Sequence, residues 1–153
     1  MTASVHTTWL SGADWFAVLR IGTGLWWLES FRHKSKKAWL VEGAGISWAA
    51  SVAAKHRWPV VGKVFDSLVA PRARVMAYAV VFGELAVGIG LVAGFLTPVA
   101  AFAGMALNLM YLVLMISDWA EQGQNLMMIL ATAVVLGAHG WSAWSVDLLT
   151  GLL

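Results

Sequence analysis

The sequence predicts an all-α integral membrane protein, a four-helix bundle with an interfacial loop between its first and second spans. Three observations lead there. Of the 153 residues, 60% are hydrophobic and only 12% are charged, against roughly 25% charged in soluble domains. Four windows, 14–31, 75–94, 98–117 and 124–139, come near the roughly 20 apolar residues that cross a bilayer as a helix. Between Val75 and Ser117 the one charged side chain is Glu84. A carboxylate at the centre of a membrane helix costs about 2.5–3.5 kcal/mol, so it is expected to face a partner or a cavity.

The first span, Asp14–Phe31, has to act as its own insertion signal, because the residues before it lack a basic segment followed by a long apolar core. Pro59, Pro71 and Pro98 lie outside the windows or at the start of one, where a missing N–H is tolerated. The spans therefore read as uninterrupted helices. No tryptophan falls between Pro59 and Asp118, which fits aromatic belts at the interfaces, with Trp9, Trp15, Trp119, Trp141 and Trp144 as anchors.

Residues 32–74 carry nine of the ten Lys and Arg side chains, the tenth being Arg20. The positive-inside rule puts that loop in the cytoplasm. Both termini and the Phe95–Thr97 turn then lie outside, and Asp118–Gly123 inside. Within the loop, Ile46–Lys55 and Val60–Ala70 mix Trp, Val, Phe and Leu with Lys and Asp, and Pro59 is placed to open a short helix. Such amphipathic segments dock at headgroups, and Arg32, Lys34, Lys36 and Lys37 favour anionic lipid. The whole chain, 1–153, reads as a single transmembrane domain on the cell membrane.

Depth along the helices predicts a polar layer. Counted from the end shared by the N-terminus and the Phe95–Thr97 turn, Arg20 lies about 9 Å in, and Glu84 and Asn108 about 15 Å. Trp27 shares the Arg20 face of the first span, and Tyr111 shares the Asn108 face of the third, by i, i+3, i+4, i+7 spacing. Two readings fit an Arg20–Glu84 layer: an ion pair that only fixes helix register, or a polar pocket for a small ligand such as a quinone head group. Gln122, Gln124 and Asn125 form a second polar cluster at the start of the fourth span.

Other chemistries are excluded. Cysteine is absent, so thiolate-held iron–sulfur clusters, disulfides and persulfides are impossible on this chain. No two of His6, His33, His56 and His139 lie inside separate spans, as haem ligation between helices would need. Gly88, Gly90 and Gly94 have the wrong spacing for a dinucleotide fingerprint and no strand before them. No metal site, cofactor of the chain's own or catalytic residue is expected. The bilayer is a partner and nucleic acid is not.

Arg20-x-x-x-Gly24-x-x-Trp27 with basic residues after it, Gly83-Glu84 with glycines to Gly94, the turn Phe95-Leu96-Thr97-Pro98, Asn108, and a closing Gly140 and Asp147 together resemble the DoxX/DoxD family. The resemblance implies a small four-helix membrane protein. It further implies a quinone-linked role, since DoxD proteins are a membrane subunit of thiosulfate:quinone oxidoreductase. On that resemblance the chain is expected to serve as a membrane subunit of a respiratory or sulfur-linked oxidoreductase, with other redox subunits as partners and quinone as ligand. Trp26, Trp27 and Tyr111 would contact the ring, and Arg20 or Asn108 would reach a carbonyl. The alternative is a noncatalytic assembly or stabilising subunit of a larger complex.

Overall fold

The computed structural model describes residues 10–153, and over that range the chain is all-helical. The expected anchor Trp9 and His6 lie outside the described residues. Helix α1 (Gly12–His33) opens on a capping box in which the Asp14 amide donates to Ser11 Oγ and the Ser11 amide donates to the Asp14 carboxylate. Helices α4 (Ala73–Ala93), α5 (Thr97–Leu114) and α6 (Trp119–Gly137) follow after the basic loop. Helix α1 packs on α4, α4 on α5, α5 on α6, and α6 returns to α1.

The helical runs shift against the sequence windows for local reasons. Helix α6 begins at Trp119, five residues before the window at 124, because the Asp118 carboxylate accepts from the Ala120 and Glu121 amides and caps the helix there. Helix α4 ends at Gly94, which takes φ +65, a conformation open to glycine at little cost. Among the described residues, two helical runs are long and apolar enough to cross a membrane: Pro59–Ala93 and Thr97–Leu114.

The loop between α1 and α4 is built, not slack. It forms α2 (Ala44–Ala54) and α3 (Pro59–Val64), with Pro59 in the first turn of α3 where it forfeits no hydrogen bond. Between α3 and α4 the backbone widens into a π-helical turn at Phe65–Val69 and tightens at Ala70–Arg72. That local rewinding carries the helix past Pro71, which has no N–H to give. The His56 ring bonds the Val113 carbonyl at 2.9 Å and ties the loop to the end of α5. Ile46, Ala49, Ala53, Phe65 and Ala77 form one buried cluster there, and Trp27, Val87, Leu91, Ala100 and Ala101 another among the long helices.

Polarity is inverted relative to a soluble domain. Arg20, Glu84, Asn108, Asn125, Thr132 and Asp147 are buried, while Phe82, Ile89, Val99, Phe102, Met127 and Leu130 face outward. An apolar exterior this extensive is the surface that lipid, not water, covers.

Candidate functional site

Two close backbone contacts set the register between α1 and α4. A Cβ at Gly24 would lie 2.8 Å from Val92, and one at Gly88 would lie 2.6 Å from Leu28. The helices are antiparallel, so this register sets Glu84 level with position 32 of α1 and Arg20 level with the turn after Gly94. The stretch from 20 to 32 is about 18 Å of helix. The expected Arg20–Glu84 pair is therefore corrected. Counting both spans from a common plane fails because α1 starts well before the level at which α4 ends.

Each charge has partners at its own end. The Glu84 carboxylate, 0% exposed, accepts from Lys34 Nζ at 2.7 and 2.8 Å, from the Tyr111 hydroxyl at 2.7 Å and from Ser30 Oγ at 3.3 Å. Lys34 caps the C-terminus of α1, Ser30 lies one turn earlier and Tyr111 comes from α5. Three helices thus converge on one carboxylate. Lys34 continues the Arg20, Thr23, Gly24, Trp27 face at seven residues beyond Trp27, a signal present in the sequence but lost when Lys34 is assigned to headgroups with its basic neighbours.

At the opposite end Arg20, also 0% exposed, donates from Nη2 to the Trp144 carbonyl at 2.6 Å and to the Ala143 carbonyl at 3.4 Å. A Cβ at position 94 would overlap its Nη1, so Gly94 is required by packing as well as by backbone conformation. Asp147 of α7 (Val146–Thr150) is buried at the same end. Its carboxylate accepts from the Leu96 amide at 2.7 Å and the Thr97 amide at 2.8 Å, and its own amide donates to the Gly94 carbonyl at 2.8 Å. The carboxylate caps α5 and secures the α4–α5 turn, where Leu96 holds φ +48.

Next to the Glu84 cluster lies a cavity of about 200 Å³. Trp26, Trp27, Ser30 and Lys34 of the α1 segment line one side, Asn108, Tyr111 and Met115 of the α5 segment another, and Glu121, Gln124 and Asn125 of α6 a third. Trp39 and Trp48 of the loop close it. The structure so brings together Trp27, Asn108, Tyr111, Gln124 and Asn125, with Glu84 behind Tyr111. Arg20 does not line the cavity. Gln122 turns away and donates to the Ile116 carbonyl, and Asn125 Nδ2 donates to the Glu121 carbonyl at 2.7 Å.

Two of the lining residues carry an orphaned donor that is packed away from the open space. Trp27 Nε1 and Asn108 Nδ2 are buried and make no hydrogen bond, although a buried polar group left unpaired costs about 1–3 kcal/mol. Arg20 Nε and Nη1 and Thr97 Oγ1 are likewise unpaired, but neither of these residues lines the cavity. Four indoles, a phenol fixed by a carboxylate and the Asn108 amide suit a flat ring that carries oxygen acceptors.

A family model described as DoxX matches residues 15–117. No curated protein and no solved structure matches the chain. The matched residues hold Arg20, Trp27, Lys34, Glu84, Asn108 and Tyr111, whereas Asp147 and the polar residues of α6 fall beyond them.

Proposed function

The chain belongs to the DoxX family, and from that premise we propose that it is a membrane subunit of a respiratory or sulfur-linked oxidoreductase complex whose polar cavity receives a quinone head group. The observation that carries this reading is the cavity itself, where Trp26, Trp27, Asn108 and Tyr111 meet beside the Glu84 cluster. A bound quinone would supply the capacity to take up electrons and protons from a partner. The chain's own part is to bind and orient the ring: Asn108, its amide turned to the cavity, donates to an oxygen, Trp26, Trp27 and Tyr111 pack on the ring, and Glu84 with Lys34 fixes the Tyr111 hydroxyl.

In this reading α1, α4, α5 and α6 are the four spans of one transmembrane domain, and the basic loop 32–74 is cytoplasmic. Lys and Arg concentrate in that loop, the side on which positive residues are retained. The redox partner then docks from the cytoplasm. With no cysteine in the chain, any sulfur chemistry belongs to that partner.

Purification from native membranes in mild detergent, followed by mass spectrometry and quinone extraction, tests the proposal. A stoichiometric redox subunit recovered with quinone is the expected result. A stoichiometric partner with neither a redox centre nor quinone would assign the chain to assembly instead, and a lone protein without quinone would remove the reading altogether.

A further inference from the structure

A second cavity adjoins the polar one. It is a groove of about 570 Å³ between the loop helices and the α4 and α5 faces, and its walls are aliphatic and aromatic. Ile46 and Ala49 come from α2, Val61 and Val64 from α3, and Val80 and Leu109 from the long helices. Val60 and Leu109 at its edge are more than half exposed and Val64 nearly half, so the groove opens on the surface that faces lipid.

Trp39, Trp48 and Tyr111 line both cavities. Trp39 is pinned as their shared wall: its ring lies so close to Gly45 that a Cβ there would overlap it, and Lys34 Nζ stands 5.3 Å from the ring centroid. One cavity thus offers polar groups and its neighbour only apolar contact. A tail arriving from lipid gains no hydrophobic transfer energy in the groove, so what holds it there is close packing against the apolar walls.

We propose that the two cavities form one bipartite site for a long-chain isoprenoid quinone, with its head in the polar cavity, its tail in the apolar groove, and entry sideways from the bilayer. The proposal rests on the quinone reading above and adds the substrate class: a membrane-dissolved quinone, not a tailless one carried in water. It also explains why the loop folds into helices against α4 and α5, since α2 and α3 supply one wall of the tail site.

The test is calorimetric binding of a tailless benzoquinone and of its long-chain isoprenoid counterpart to the full chain, in one detergent so that partitioning is common to all variants. Val80→Trp fills the groove, and Val99→Trp adds the same indole on an exposed α5 position outside it. Val80→Trp is expected to weaken the isoprenoid quinone about tenfold by overfilling the groove, with tailless affinity unchanged and Val99→Trp silent for both. Equal losses for both ligands, or no loss for the tailed one, would overturn the bipartite site. If the tailless quinone binds wild type and the groove variant has no effect, the head-group reading survives and the tail site falls. If neither quinone binds wild type, both fall.

Discussion

The two ends of the helix assembly each bury a full charge, and they do so in different ways. At the Arg20 end the partners are fixed backbone groups: guanidinium to carbonyls of 143 and 144, Asp147 carboxylate to amides of 96 and 97. At the Glu84 end the partners are side chains, Lys34, Tyr111 and Ser30, and a polar cavity lies beside them. Backbone partners can only hold a shape, because nothing can displace them without unfolding a turn. Side-chain partners beside an open cavity leave room for an exchange with a ligand.

This contrast breaks first at Asp147. Asp147→Ala removes the acceptor of the Leu96 and Thr97 amides at the α5 cap and leaves both unpaired, so it is expected to destabilise by about 3–4 kcal/mol in thermal unfolding in detergent. An unchanged melting temperature would remove the claim that this end is a structural lock. Lys34→Met strands the Glu84 carboxylate and should cost about 3 kcal/mol, the low end for a broken buried pair because the Lys34 side chain remains 15% exposed. Adding Glu84→Gln should restore most of that loss, and a double variant no better than Lys34→Met alone would show that the pair is not the unit.

Smaller effects sharpen the comparison. Tyr111→Phe deletes one hydrogen bond to a charged group, about 1.5–2 kcal/mol, and is expected to lower quinone affinity because the ring loses its fixed neighbour. Asn108→Leu should move stability by no more than about 1 kcal/mol in either direction, since it removes a donor that has no partner to lose. Its quinone affinity should nevertheless fall about tenfold, the value of one hydrogen bond. Stability and affinity falling together at Asn108 would put the residue in the same class as Asp147.

Much of the fold can be read from the chain, because apolar runs and Pro59 report local preferences that the helices keep. The site is legible only in part. Glu84, Tyr111, Asn108 and Trp27 announce themselves as polar or aromatic groups on shared helix faces. Their partners depend on inter-helix register, which Gly24 and Gly88 set by close approach and which no single-helix count contains. For that reason Arg20 is expected at Glu84 and is found about 18 Å away along α1. Lys34 hides for a different reason: four basic residues within six positions look alike until one turns inward. Asp147 is a lone acid near the end of the chain, and its task is visible only once the turn it caps is folded.

The convergence of three helices on Glu84 also bears on how the chain enters the membrane. Synthesis proceeds from the N-terminus, so in the four-span reading α1 with Ser30 and Lys34 reaches the bilayer before α4 and its carboxylate, and Tyr111 follows. Retention of α4 would then depend on a hand-over from α1, with α5 completing it afterwards. A glycosylation reporter fused after α4 should show Lys34→Met nascent chains losing retention of that segment, and equal retention in wild type and variant would show that α4 stays in the bilayer unaided.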